Sequence, residues 1–242
     1  NGLTRRTEPG VQWTVVIPLK PLERAKSRLA PAAGDGLRPA LALAFAQDTV
    51  AATVACPSVR DVVVVTDDVR AGHELAALGA HVVPDAPGDG LNAALAHAAR
   101  QVRSRHPEAP VAALNADLPA LRPGELARVL DAAVPFPRAF LPDAAGIGTT
   151  LLTAGPGTEL RPRFGGPSRA RHRDSGAVEL GGGQAGTTGP ADADATAGAA
   201  DGIGYAGSVR QDVDTGDDLR AALALGVGPH TAAAAAGLLI PD

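Results

Sequence analysis

The sequence predicts an α/β protein whose mostly parallel central sheet is flanked by helices. Short runs rich in Val and Ile alternate with longer Ala- and Leu-rich stretches of helical periodicity, which is the pattern of βαβ units. Hydrophobic residues make up 45% of the 242 residues, yet there are only one Trp, one Tyr and four Phe. The core must therefore be assembled from Val, Leu, Ile and Ala, which suits closely packed layers of helix on sheet.

The elements follow in order from these patterns. Trp13–Pro18 is the first strand, and the Ala/Leu periodicity of 37–55 predicts a helix. Asp61–Thr66 reads as a buried strand, 69–79 as a helix ended by Gly79, and His81–Pro84 as another strand. The same alternation continues with a helix over 91–103, a strand at 110–114 and a helix opened by Pro123 that runs to Ala133. Residues 139–142 and 149–154 form a strand pair, and the last element is a helix over 217–225, preceded by Val209–Val213. In open sheets of this kind ligands lie beyond the carboxyl ends of the strands, so the residues just after each strand are where chemistry is sought.

Residues 181–204 break the pattern, being dominated by Gly and Ala with no Lys or Arg. Such a segment buries too little apolar area to order itself, and it is expected to be a flexible surface insertion. Residues 1–10 are expected to be a flexible tail, and 11–242 a single domain.

Charge and composition exclude several classes. With 22 Lys+Arg against 26 Asp+Glu the formal charge is −4, so nucleic acid is not expected as a partner through bulk charge. A single cysteine, Cys56, excludes an intramolecular disulfide framework and Cys-rich metal sites, and it fits a reducing, cytoplasmic setting. The longest apolar run, 232–240, contains Gly237 and is far shorter than the roughly 20 residues of a membrane span, so no membrane association is expected.

Three groups of residues stand where chemistry is sought. After the first strand, Lys20, Arg24, Lys26 and Arg28 cluster within one loop of an otherwise acidic chain, which suits phosphate binding; a solvated basic loop is the alternative. Asp117 follows the strand at 110–114, and Asp212 and Asp214 precede the last helix. Carboxylates at such positions suit Mg²⁺, the alternative being a turn at Asp117, solvated aspartates and a helix cap at Thr215. The Gly-rich spots 146–150 and 163–172 suit a small carboxylate or phosphate, or else are ordinary turns. Gly88-x-Gly90-x-x-Ala93 falls outside the first βα turn and is not a dinucleotide fingerprint; with Asn92 it instead suits a purine base. The six histidines show no metal-ligand spacing, and no Gly-x₄-Gly-Lys-Ser/Thr loop is present.

Taken together these segments resemble the guanylyltransferases of coenzyme F420 biosynthesis, which join a three-carbon phospho-acid to GMP. The resemblance is carried by Pro18-x-Lys20, Ala25-Lys-Ser-Arg-Leu29, Gly90-Leu-Asn92, Asp117-Leu-Pro119, Gly148-Thr149, Phe164-Gly165, Ser168, His172, Ser175-Gly-Ala177 and Asp212-Val-Asp214-Thr215, in that order. It covers 13–180 and 207–233, the insertion being a departure. It implies a Rossmann-like nucleotidyltransferase fold of glycosyltransferase-A type and GTP as donor.

The resemblance also assigns roles. Lys20, Lys26, Ser27 and Arg28 would hold the triphosphate, Gly90 and Asn92 the guanine, and Thr149, Gly165 and Ser168 the acceptor, with Mg²⁺ on Asp117 and Asp214. Lys20, Lys26, Arg28 and Asp117 would carry catalysis. The family's actinobacterial branch is understood to use phosphoenolpyruvate and its archaeal branch 2-phospho-L-lactate. The Ala-, Arg- and Gly-rich composition looks actinobacterial and implies phosphoenolpyruvate, with product handed to the next transferase of the pathway as a further expectation.

Overall fold

The structure is a computed structural model that describes residues 10–34, 36–181 and 206–238. Strand β1 (Trp13–Pro18) leads into two 3-10 turns, Leu22–Arg24 and Ser27–Leu29, and the one-turn helix α1 (Ala30–Ala33). The chain continues as α2 (Arg38–Val54), β2 (Val59–Val65), α3 (Val69–Ala77), β3 (His81–Val83), α4 (Leu91–Arg105), β4 (Val111–Leu114) and α5 (Pro123–Ala133). Next come β5 (Arg138–Pro142), β6 (Thr149–Ala154), α6 (Ser168–Asp174), β7 (Val178–Glu179), α7 (Gly207–Arg210), α8 (Gly216–Leu225) and α9 (Pro229–Ala235).

The strands form a seven-stranded sheet of order β3-β2-β1-β4-β6-β5-β7. β1 to β4 are mutually parallel, β6 runs antiparallel to both β4 and β5, and β7 is parallel to β5. This reversal has a consequence for the site. Because Leu114 pairs with Leu151, the first residue of β6, Thr149, lies at the same sheet edge as the residues that follow β4.

Period-two alternation sends side chains to two cores. Trp13, Val15 and Ile17 of β1 join Val62 and Val64, Ala112 and Leu114 on one face, packed with Val50 of α2 and Leu126, Val129 and Leu130 of α5. Val16, Val65, Val111 and Ala113 face the other way, onto Ala94, Leu95, Ala98 and Ala99 of α4. The run of small residues lets α4 lie close on the sheet.

The mostly parallel α/β architecture matches the expectation, and the structure adds detail at three places. α6 and β7 follow the Gly-rich segment at 163–168, and the segment before α8 contains a helical turn, Gly207–Arg210. The helix over 216–225 is not the last element: α9 follows it, and its Pro229 supplies the fixed φ of a first helical turn. The first-turn N–H groups of His230 and Thr231 donate to the buried Asp48 carboxylate of α2, at 3.1 and 2.8 Å. The expectations for 1–10 and 181–204 fall, apart from Gly10 and Gly181, outside the described residues. No described helix is long and apolar enough to cross a membrane.

Candidate active site

The carboxyl edge of the parallel strands gathers the chemistry. β1 ends at Pro18, and the basic loop that follows is tied to β2: Leu19 N–H donates to the Val65 carbonyl and Leu22 N–H to Asp68 Oδ2, both at 2.9 Å. Lys26 heads the second 3-10 turn with φ +57°, a left-handed conformation that costs a residue with a Cβ about 1 kcal/mol. Its ammonium bonds to Asp117 and, at 2.8 Å, to Asp214 Oδ1.

Two further contacts bring those aspartates together. Thr49 Oγ1 of α2 accepts from Leu118 N–H at 3.0 Å and lies 2.7 Å from the Phe45 carbonyl, which pins the Asp117 loop to a buried helix. Val213 N–H then donates to the Asp117 carbonyl at 3.1 Å, which draws the 212–214 segment onto the same loop. The Thr215 hydroxyl accepts from Asp218 N–H while Asp218 accepts from Thr215 N–H, a capping box that fixes where α8 starts and hence where Asp214 lies. As a result Asp117, Asp212 and Asp214 each offer an oxygen, all within 4.8 Å of one another.

This cluster is short of positive charge. Burial pushes the Asp117 carboxyl above its usual range against the pull of Lys26, and burial followed by Asp117, Asp143 and Asp214 pushes Asp212 up to about 8. Burial works against the Lys26 ammonium, but Asp117 and Asp214 outweigh it and raise its pKa. Three carboxyls therefore share one ammonium. Asp117 Oδ1 is also buried without a hydrogen-bond partner, an orphaned acceptor on one member of the cluster. The donor set of hard carboxylate oxygens and the orphaned atom both fit a divalent cation such as Mg²⁺.

A second set lies at the start of β6. The β5–β6 turn is closed by Asp143, whose carboxylate accepts from Ile147 and Gly148 N–H at 3.0 and 2.9 Å. Gly148 has no room for a side chain, since a Cβ there would come 2.4 Å from Asp143 Oδ2. Thr149 Oγ1 lies 2.9 Å from Nδ1 of the fully buried His172, and His172 Nε2 accepts from Arg163 N–H at 2.9 Å. Burial, reinforced by Arg138, lowers the His172 pKa to about 4 and keeps the ring neutral. Ser168 is buried at the head of α6, and Gly165 adopts φ +96°, which requires glycine.

The structure therefore brings together Lys26, Asp117 and Asp214, and it adds Asp212 to them. Lys20, Ser27 and Arg28 are exposed on the basic loop. Gly90 precedes α4 with φ +91°. The Asn92 side chain is committed to the protein: its amide donates to the Phe164 carbonyl at 3.0 Å and its oxygen accepts from Phe164 N–H at 2.8 Å. Sequence reasoning missed Thr49, Asp143 and the engagement of His172. A polar residue within the apolar repeat of a helix, as at Thr49, is the one available signal.

A family model described as "Guanylyl transferase CofC like" matches residues 13–176. A phosphoenolpyruvate guanylyltransferase from Streptomyces coelicolor is 69% identical over 230 residues, spanning 95% of this chain and 99% of its own. One from Thermomonospora curvata is 54% identical over 224 residues, spanning 93% of this chain and 89% of its own. Among solved structures, a nucleotidyl transferase from Methanothermobacter superposes with a TM-score of 0.50 at 18% identity, covering 89% of this chain and 98% of its own, which supports the fold alone. Matched by the family model over most of its length and 69% identical to a relative that it spans almost whole, the chain belongs to the CofC-like guanylyl transferase family.

Proposed function

We propose that the protein transfers GMP from GTP to phosphoenolpyruvate, giving enolpyruvoyl-2-diphospho-5′-guanosine and pyrophosphate, as a Mg²⁺-dependent step of coenzyme F420 biosynthesis. The observation that carries this reading is the convergence of Asp117, Asp212 and Asp214, with a buried Asp117 oxygen left without a partner, at the sheet edge where β6 begins with Thr149. The acceptor comes from the names of relatives up to 69% identical.

The reaction asks little covalent chemistry of the protein. A phosphate oxygen of the phospho-acid, already ionised at neutral pH, attacks the α-phosphorus of GTP; the new P–O bond forms as the α–β anhydride bond breaks, and pyrophosphate takes the electron pair. No general base is required, so rate enhancement reduces to positioning and charge neutralisation. Asp117 and Asp214, with Asp212 beside them, would hold a Mg²⁺ that neutralises phosphate charge when bound. Lys26 balances the carboxylates and belongs to the same loop as Lys20, Ser27 and Arg28, whose exposed groups meet the triphosphate. Thr149, Ser168 and the backbone at Gly165 hold the acceptor, while Gly90 opens the path for the base; Asn92 shapes that wall through Phe164. Product release to a following transferase completes the proposed role.

Incubation with GTP, Mg²⁺ and either phosphoenolpyruvate or 2-phospho-L-lactate, with products weighed by mass spectrometry, tests the reading. The expected result is pyrophosphate and the phosphoenolpyruvate adduct in excess; a dominant lactate adduct would overturn the acceptor, and no pyrophosphate with either acid would overturn the reaction.

A further inference from the structure

We infer that His172 is a positioning residue that fixes the Thr149 hydroxyl as a hydrogen-bond donor to the acceptor's anionic group. The inference rests on the reading of Thr149 as an acceptor-binding residue, and it assigns to a residue outside that set the task of orienting it.

Arg163 N–H is a backbone donor with no capacity to accept, so His172 Nε2, which it meets at 2.9 Å, must present a lone pair. A neutral imidazole carries its single proton on the other nitrogen, which makes Nδ1 a donor. Thr149 Oγ1, at 2.9 Å from Nδ1, is then forced to accept. Its own hydrogen cannot point at the ring, and among the described residues it has no acceptor. Thr149 is buried, so that hydrogen is a donor waiting for a partner in a place water reaches poorly. A carboxylate or phosphate oxygen supplies the missing lone pair; a group that only donates does not.

The ring is held against rotation. Phe140 and Phe164 flank it with centroids 5.7 and 5.1 Å away, the second in edge geometry. Phe164 is itself clamped through both backbone polar groups by Asn92, so a residue on α4 braces the imidazole that orients Thr149.

Two measurements test the inference. In ¹⁵N-histidine NMR of the free protein, the resonances lost in His172→Gln are expected to show the Nδ1–H tautomer. An Nε2–H tautomer would overturn the inference even in an active enzyme, whereas an inactive wild-type protein with the Nδ1–H tautomer would overturn only the function it rests on. In kinetics, His172→Phe is expected to raise KM for the phospho-acid about tenfold while KM for GTP stays within about twofold. In a Thr149→Val background the same change is expected to add nothing, since the hydroxyl it acts through is gone. Equal rises in both KM values, or an undiminished effect in the Thr149→Val background, would overturn the inference. If the Phe variant fails to fold, Asn and Gln replace it. The Asn amide reaches the position of Nδ1 and is expected to retain a near-normal KM for the phospho-acid, while Gln reaches that of Nε2 and is expected to raise it; the reverse order would overturn the inference.

Discussion

Acid should destabilise this fold through His172 in a way that one variant isolates. The imidazole ionises near 6.5 when free, while burial beside Arg138 lowers it to about 4 in the folded protein. The sign follows from which state holds the proton. Between those two values the unfolded chain is protonated at His172 and the folded protein is not, so the stability present above about pH 6.5 is lost as pH falls and the loss is complete near pH 4. Each pH unit of separation is worth about 1.4 kcal/mol, which sets the full effect at about 3 kcal/mol. Raised carboxyls at Asp117 and Asp212 act in the opposite sense, because they bind protons on folding as pH falls, so the wild-type curve alone mixes the two. His172→Asn cannot titrate at this position. Urea unfolding of both proteins at intervals from pH 7.5 to 4 should show the wild type losing about 3 kcal/mol relative to its own pH 7.5 value beyond whatever the Asn variant loses. Parallel stability curves would refute the buried, neutral histidine.

Two further perturbations have outcomes set by the contacts of one side chain each. Asp48→Ala removes two charge-assisted bonds to the first turn of α9, worth about 2–3 kcal/mol together after water reclaims part of the loss, and should lower Tm by about 5–10 °C for a chain of this size; calorimetry showing no change would mean α9 needs no tether. Gly148→Ala forces a Cβ into Asp143 Oδ2 and should cost about 1–3 kcal/mol, with KM for the phospho-acid rising more than KM for GTP in pyrophosphate-release kinetics; unchanged kinetics would separate the β5–β6 turn from the acceptor site.

What was readable in advance follows from how local each signal is. β1, α5 and β6 have the bounds their patterns predict, because the β-branched run of β1, the Pro in the first turn of α5 and the Thr- and Leu-rich run of β6 are written within each segment. α6 was not readable: Ser-Arg-Ala-Arg-His-Arg-Asp has no apolar stripe, and it buries Ser168 and His172 in its place. α9 looked like a bare apolar run since its tether, Asp48, is 182 residues away from His230. The site divides the same way. Asp117 was legible as a carboxylate after a strand, and Asp214 as one just before a helix. That Asp212 joins them, and that Lys26 reaches across 91 and 188 residues to pair with Asp117 and Asp214, depends on the Thr49 and Val213 contacts, which no spacing encodes. Asn92 illustrates the opposite case, where a residue type suited to a base edge is taken up by the backbone of Phe164.

The acidic cluster is the centre of the account, and pyrophosphate release across a Mg²⁺ titration in Asp117→Asn, Asp212→Asn and Asp214→Asn proteins tests it most directly. Each change keeps shape and removes one negative charge from the place where a cation would be held, so turnover should fall by about two orders of magnitude or more in the Asp117 and Asp214 variants, with GTP binding reduced far less because Lys20 and Arg28 remain. Asp212→Asn should be milder, because the Lys26 ammonium bonds to Asp117 and Asp214 and holds those two carboxylates in place. Near-normal turnover in both the Asp117 and Asp214 variants at every Mg²⁺ concentration would contradict the site.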